Sequence, residues 1–257
     1  MSTQYNNMEL MITIAARNLE DGAVVVVGTG VPCAAAMLAQ KTRSPNLTIL
    51  FEAGGVAPRL PAMPISVGDS RTTHKGIKAT TMAEIMEMCQ AGLVDYCFLG
   101  GAQIDRYGNL NSTVIGDYYR PKTRFPGSGG ANDLASLTWR TLVVCPQSPR
   151  RFTDQIDFVT TPGYLTGGNA REEAGLPKGT GPYRVITDIG VYGYNETTRA
   201  MELRKLNPGR IVEDVNENSG FEILIPEEYG MVDPPTEEEL RILREEVDPD
   251  KIIIGRG

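Results

Sequence analysis

Histidine is almost absent from this chain: His74 is the only one in 257 residues. That excludes a histidine-rich metal site and leaves any Ser-His-Asp triad resting on one side chain. Cysteine is sparse and unpatterned. Cys33, Cys89, Cys97 and Cys145 form no C-x-x-C pair and read as reduced core residues, not as a disulfide framework or a zinc site. Positive charge is in deficit, with 25 Lys and Arg against 32 Asp and Glu. A net charge of -7 offers no basic face for nucleic acid. No apolar run approaches the ~20 residues of a membrane helix. Residues 1–7 have neither a charged n-region nor an apolar h-region, so no leader peptide is expected and the chain reads as cytoplasmic. Carboxylates and backbone dipoles remain for chemistry, and no metal is expected.

A length of 257 residues with 41% hydrophobic side chains is ample for a core. Residues 46–51 are an apolar, β-prone run that ends on Glu52 and then on Gly54 and Gly55, so they predict a buried strand. In an open α/β sheet, ligands collect outside the carboxyl ends of the strands, which is where Glu52 falls. Upstream, a moderate helical pattern covers 9–19. The run 23–27 is β-branched throughout, as in a strand buried on both faces. Gly28, Thr29 and Gly30 then lead into a small-residue helix with Pro32 in its first turn. This strand–turn–helix can aim backbone N–H groups at an anion, or can be a plain tight turn. With the strand at 46–51 it completes a βαβ unit containing a parallel pair.

Residues 56–64 are too rich in proline for regular structure and continue into 66–76, a loop of a length that is usually functional or mobile. Thr81 and Glu84 fit a capping box before a helix with Met82, Ile85, Met86 and Cys89 at core spacing. A strand at 94–99 runs into Gly100, Gly101, Gln103 and the turn-forming Asp105, Arg106, Tyr107, Gly108 and Asn109, followed by Asn111 and Ser112. A second glycine-rich loop, Gly127, Ser128, Gly129, Gly130 and Ala131, precedes a helix at 134–137 for which Asn132 or Asp133 is the expected cap. Such glycine density lets backbone amides approach a ligand. Strands are expected at 140–145 and 156–160, with a hairpin over 183–194. Arg150 and Arg151 form a basic step of the kind usually solvated. Thr236 to Glu239 open a last helix with a capping box, placed on the surface or against a partner.

These blocks resemble the β subunit of the class I CoA-transferases, most of all the glutaconate type. The matching features are Gly28 to Pro32, Glu52 at its strand end, Ser66 to Asp69, Gly100 to Asp105, Gly108 to Ser112, Gly116 to Tyr118 and Gly127 to Asn132. The resemblance runs from the first helix to about Arg151 and more loosely beyond. It implies an α/β fold, an open and mostly parallel sheet with helices on both faces, as in the NagB/RpiA/CoA-transferase-like group. It implies one domain over 1–257 with a looser extension from about 196. It further implies that Glu52 is the nucleophile and that Gly127, Ser128, Gly129, Gly130, Ala131 and Asn132 hold CoA and the acyl oxygen. Gly28, Gly30, Gly54, Gly100, Gly101, Gln103, Asn109 and Asn111 are then supporting loop residues. Coenzyme A is a co-substrate, acyl-CoA and a carboxylic acid are the substrates, and an α subunit completes a hetero-oligomer of αβ units. Ala53 departs from the family pattern around the nucleophile, and His74 matches no family motif.

Carboxylate attack on a thioester gives a mixed anhydride and a thiolate, whose return attack leaves a glutamyl-CoA thioester. Both steps keep an activated acyl bond, so transfer needs an ionised carboxylate and oxyanion donors. Two alternatives stand beside transfer: an acyl-CoA hydrolase or decarboxylase on the same fold, and a ligand-binding module without catalysis. The acyl group is not legible in these residues.

Overall fold

A computed structural model describes residues 4–255. Residues 1–3, where the stretch read for a leader begins, lie outside them. The chain forms two compact units, Met1–Phe98 with Pro234–Gly257, and Leu99–Asp233.

In the first unit, α1 (Asn7–Arg17) starts at a reciprocal cap. The Asn6 side chain accepts from the Glu9 amide at 2.9 Å and the Glu9 carboxylate accepts from the Asn6 amide at 2.9 Å. The predicted βαβ unit follows as β1 (Val24–Val27), α2 (Val31–Lys41) and β2 (Thr48–Phe51), with β1 and β2 parallel from Val24↔Thr48 to Val27↔Phe51. Helix α2 is buried continuously from Cys33 to Ala39, as expected for a helix apolar all round. Strands β3 (Gly55–Val56) and β4 (Lys78–Ala79) run antiparallel beyond β2. Helix α3 (Met82–Gln90) and β5 (Tyr96–Leu99) return the chain to the other side of β1, giving the order β5-β1-β2-β3-β4.

The last helix, Glu237–Ile242, continues through a π-type turn at Leu243–Val247. It belongs to this first unit, where Arg17 donates to both Glu239 oxygens (2.9 and 2.6 Å) and Arg244 to both Glu9 oxygens (2.6 and 2.9 Å). The predicted Thr236–Glu239 capping box is present. Buried Asp248 then accepts from the amides of Ile252, Ile253 and Ile254 at 2.8–2.9 Å, and Asn6 Nδ2 donates to the Ile254 carbonyl at 2.9 Å.

The second unit opens with two small hairpins, β6 (Gln103–Ile104) with β7 (Leu110–Asn111) and β8 (Val114–Gly116) with β9 (Pro121–Arg124). Helix α4 (Ala131–Leu137), β10 (Arg140–Val144), α5 (Ala170–Glu173), β11 (Gly181–Ile186), β12 (Gly190–Tyr194), β13 (Met201–Leu206), α6 (Val212–Glu217) and β14 (Gly230–Met231) follow. Strands β10 and β11 are parallel, β11–β12–β13 form an antiparallel meander containing the predicted hairpin, and β14 pairs parallel with β13. Phe152, Tyr192, Leu203 and Val215 centre its core.

The α/β class holds, and the sheet strands pair in both senses. Four local expectations give way. Residues 156–160 form no strand, because Asp157 is tied to Gln103 of β6 and the Thr160 carbonyl to Asn132 of α4 while Phe158 and Val159 face outward. Met82 is 54% exposed, since Ile85 and Cys89 alone turn the buried stripe of α3 inward. Only half of the box at Thr81 forms, because the Glu84 carboxylate pairs with Lys78. Helix α4 begins at Gly130, which puts Asn132 and Asp133 inside it. The Ser128 hydroxyl accepts from the Asn132 amide at 3.0 Å in the place expected of a capping side chain. All four cysteines are buried and none is in a disulfide, and burial pushes the Cys33 and Cys145 thiols up to about 12.

Candidate functional site

Glu52 is the first residue past β2, at the tip of the β2–β3 hairpin. The tip is closed by the Gly54 amide donating to the Phe51 carbonyl at 2.9 Å, and it is held from beside by the Thr80 amide donating to the Gly54 carbonyl at 2.8 Å. Gly54 has φ +113°, and a Cβ there would lie 2.0 Å from the Thr80 carbonyl oxygen. Glycine is therefore required twice over, by dihedral and by space. The neighbouring Gly55 sits equally close to the Thr72 carbonyl, which packs the long proline-rich loop onto the hairpin. Within that loop Asp69 caps a 3₁₀ turn at Ser70–Thr73 and holds the Arg71 guanidinium, which keeps its carboxyl well below the usual carboxylate range. The result is a half-buried Glu52 on a backbone of fixed direction.

The parallel register ends at Val27↔Phe51, so Gly28 and Glu52 are the first residues past the carboxyl ends of adjacent strands. Gly30, at φ +86°, is the N-cap of α2 and bears no side-chain cap. The first turn of this 11-residue helix therefore follows the carboxyl end of β1 with no side-chain cap, and its free N–H groups come from Val31 and Cys33 because Pro32 has none. The structure brings Glu52, Gly54, Gly28 and Gly30 to one strand edge of the first unit.

The other predicted residues belong to the second unit. Gly127, Ser128 and Asn132 line a cavity of about 520 Å³ together with Tyr118, Arg124 and Phe158. Tyr118 stacks on Phe158 at 5.5 Å and the Arg124 guanidinium lies 4.7 Å over the Tyr118 ring. Gly127 and Gly129 have positive φ and nothing within 4 Å of a would-be Cβ, so the loop is open on its outer side. Gly130 is buried and begins α4.

Gln103, Asn109 and Asn111 are buried struts. Asn111 donates to Gln103 Oε1 and to the Val114 carbonyl, both at 2.6 Å, and accepts from the Thr113 and Val114 amides. Gln103 in turn donates to Asp157 at 2.9 Å. Asn109 receives the Gly163 and Leu165 amides and donates to Asp105 Oδ2 at 2.7 Å. Burial pushes the Asp105 carboxyl up, against the hydrogen bonds from Asn109 and Tyr107 that pull it down. A Cβ on Gly101 would lie within 3.3 Å of Gln103, Asn111 and Leu110, whereas one on Gly100 would meet nothing within 4 Å.

Sequence reasoning missed two groups. The aromatic pair Tyr118 and Phe158 comes from segments 40 residues apart, and Phe158 was assigned to a strand. Arg171, 2% exposed, donates to the carbonyls of Pro162, Gly163, Ala135 and Ser136 and to Thr180 Oγ1. It thereby fixes the C-terminal end of α4, the helix that the glycine loop opens. Nothing in its local sequence signals that role.

Residues 8–218 match the family model described as Coenzyme A transferase. The chain belongs to the coenzyme A transferase family. This CoA-transferase is 39% identical over 241 residues to the β subunit of the 3-oxoadipate CoA-transferase of Pseudomonas knackmussii, covering 93% of this chain and 92% of that one. It is 39% identical over 257 residues to the β subunit of the glutaconate CoA-transferase of Acidaminococcus fermentans, covering 98% and 96%. The crystal structure of the latter enzyme superposes with a TM-score of 0.94 over 99% of both chains at 37% identity. The decarboxylase AibA/AibB superposes with a TM-score of 0.83 over 97% of both chains at 25% identity. Among the described residues no group of histidine, cysteine or carboxylate side chains is placed to hold a metal ion, and no helix is long and apolar enough to cross a membrane.

Proposed function

We propose that this chain, residues 1–257 acting as one β subunit, transfers CoA between an acyl-CoA and a carboxylic acid through a glutamyl-CoA thioester on Glu52. The observation that carries the reading is the placement of Glu52: a half-buried carboxylate on a glycine-shaped hairpin tip, at the carboxyl end of a strand whose parallel neighbour leads into α2. A nucleophile of this kind must be ionised and accessible.

The chemistry balances without a redox partner. A Glu52 carboxylate oxygen attacks the thioester carbonyl, the C–S bond breaks and CoA leaves as thiolate, giving an acyl–glutamyl anhydride. The thiolate attacks the glutamyl carbonyl and expels the first acid as carboxylate. The second acid reverses both steps on its own carbonyl and regenerates Glu52. Each attack passes through an oxyanion, and removing one oxyanion donor typically costs ~2.7–4 kcal/mol. Gly127, Ser128, Gly129, Gly130, Ala131 and Asn132 are proposed to bind CoA and the acyl oxygen, and Gln103, Asn109 and Asn111 to hold the loops that present them. Both CoA-transferase relatives are one component of a two-component enzyme, which supports an α-subunit partner. The enzyme is proposed to act in the cytoplasm as a hetero-oligomer.

The test is to incubate the αβ complex with acyl-CoA alone and treat it with borohydride or hydroxylamine. A mass change confined to the peptide bearing Glu52 is expected, and its absence during turnover sinks the mechanism. The likeness to the decarboxylase AibA/AibB keeps a second reading in view. Consumption of acyl-CoA with release of carbon dioxide and no adduct would establish it.

A further inference from the structure

In the basic step Arg150–Arg151, Arg150 is exposed as expected and Arg151 is half-buried. Both arginines line a cavity of about 580 Å³ in the second unit, facing Lys122 of β9, with Gln103, Ser148 and Phe125 on the remaining wall. Three cations therefore share one concavity in a chain whose net charge is -7. No carboxylate lines it. Asp157 is not among the lining residues; it accepts from Gln103 Nε2 at 2.9 Å and from the Gly116 amide at 3.2 Å.

Among the described residues, Lys122 and Arg150 have no ion pair and no side-chain hydrogen bond. Arg151 donates one N–H to the Pro146 carbonyl at 2.8 Å, and its buried Nε has no partner. Like charges gathered without counter-ions repel one another, so such a cluster is stabilised when an anion enters. Phe125 also lines the cavity that holds Gly127, Ser128 and Asn132, so the two concavities adjoin along one side chain.

We infer that Lys122, Arg150 and Arg151 form the seat for the phosphate groups of CoA, outboard of the glycine loop. This rests on the proposed CoA-binding role of that loop. A phosphomonoester alone carries about −1.5 to −2 charges near neutral pH, and arginine meets phosphate oxygens with two parallel N–H donors. The diphosphate and the 3′-phosphate of CoA match a cluster of three cations better than the single carboxylate of an acid substrate does. Phe125 lines both cavities, so the seat adjoins the loop proposed to hold the thioester end and one extended molecule can occupy both.

The experiment uses the complete αβ complex with Lys122→Gln and Arg150→Gln combined. Both side chains are exposed and unpartnered, so unfolding temperature should stay at the wild-type value. The KM for acyl-CoA should rise at least about tenfold, the size of one lost charge-assisted hydrogen bond, while kcat changes by less than about twofold, as for loss of uniform binding. An acyl-pantetheine thioester, which carries none of these phosphates, should show the same KM with wild type and variant. Adenosine 3′,5′-bisphosphate should compete with acyl-CoA in the wild type and lose its potency in the variant.

An unchanged KM for acyl-CoA overturns the inference, as does an equal loss with acyl-pantetheine. Release of the α subunit by the variant also overturns it and makes the cluster a subunit contact. CoA affinity measured by calorimetry on a Glu52→Gln complex separates this from the nucleophile reading. Turnover surviving in that complex defeats Glu52 alone, and CoA affinity indifferent to Lys122 and Arg150 defeats the seat alone.

Discussion

In the first unit, Glu52 stands on a turn shaped by backbone: two glycines at van der Waals limits, a carbonyl from Thr80, a carbonyl from Thr72 and a strand register. In the second unit the candidate loops are held by buried side chains, with Asn109, Asn111, Gln103, Asp105 and Arg171 each bonding across the chain. The difference follows from length. A hairpin of two short strands can satisfy its own backbone groups. The stretch from Cys145 to Ala170 contains no strand, so its buried amides and carbonyls need partners from side chains. One unit is therefore sensitive to an added atom, the other to a removed one.

Four measurements would sharpen that contrast or break it. Glu52→Gln should have the largest effect, lowering kcat about 10³-fold or more while leaving unfolding by urea unchanged. A comparable fall in stability would show that Glu52 holds the hairpin together. Next comes Arg171→Met, which strips five acceptors of their donor and should lower stability by about 3 kcal/mol or more. If the loss stays under about 1 kcal/mol, water replaces the guanidinium and the strut account of the second unit fails. Gly54→Ala should cost about 2–3 kcal/mol through strained φ and the Thr80 clash. It should also reduce kcat, because the hairpin tip must shift; activity and stability both at wild-type level would mean the tip is not rigid.

The smallest effect concerns pH. Burial pushes the Glu9 carboxyl up, but the bonds from Arg244 and the Asn6 amide outweigh it and hold the group below its ordinary 4.5. Glu239 behaves alike, with burial opposed by Arg17 and the Thr236 cap. A depressed folded value stabilises above the unfolded one, so this contribution is in place above about pH 4.5 and is lost as pH falls through the folded values. Urea titrations between about pH 3 and 6 should show stability falling with acid. In Arg244→Gln the Glu9 part of that slope should disappear, and an unchanged slope would remove these pairs from the account.

The parts legible in the sequence are those whose causes are local. The β-branched run before Gly28, the small-residue helix after Pro32, the run ending at Glu52 and the Thr236–Glu239 box all carry their signal within one or two turns of chain. What escaped depends on partners far away. Ser128 caps α4 only because Gly130 starts it, Met82 is exposed because of where α3 lies, and residues 156–160 are irregular because Asp157 and Thr160 answer to Gln103 and Asn132. Arg171 is the extreme case. Its acceptors lie up to 36 residues away, and no periodicity encodes them.

The return of the last segment to the first unit sets an order of assembly. Residues 99–233 form their compact unit from one uninterrupted stretch, whereas the unit bearing Glu52 also needs Glu239, Arg244 and the Asp248 carboxylate that gathers Ile252 to Ile254. On the ribosome, the part made first is thus the part finished last. A chain cut short before residue 234 can complete its second unit and not its first, so the proposed nucleophile gains its full support only when translation has reached the end of this segment.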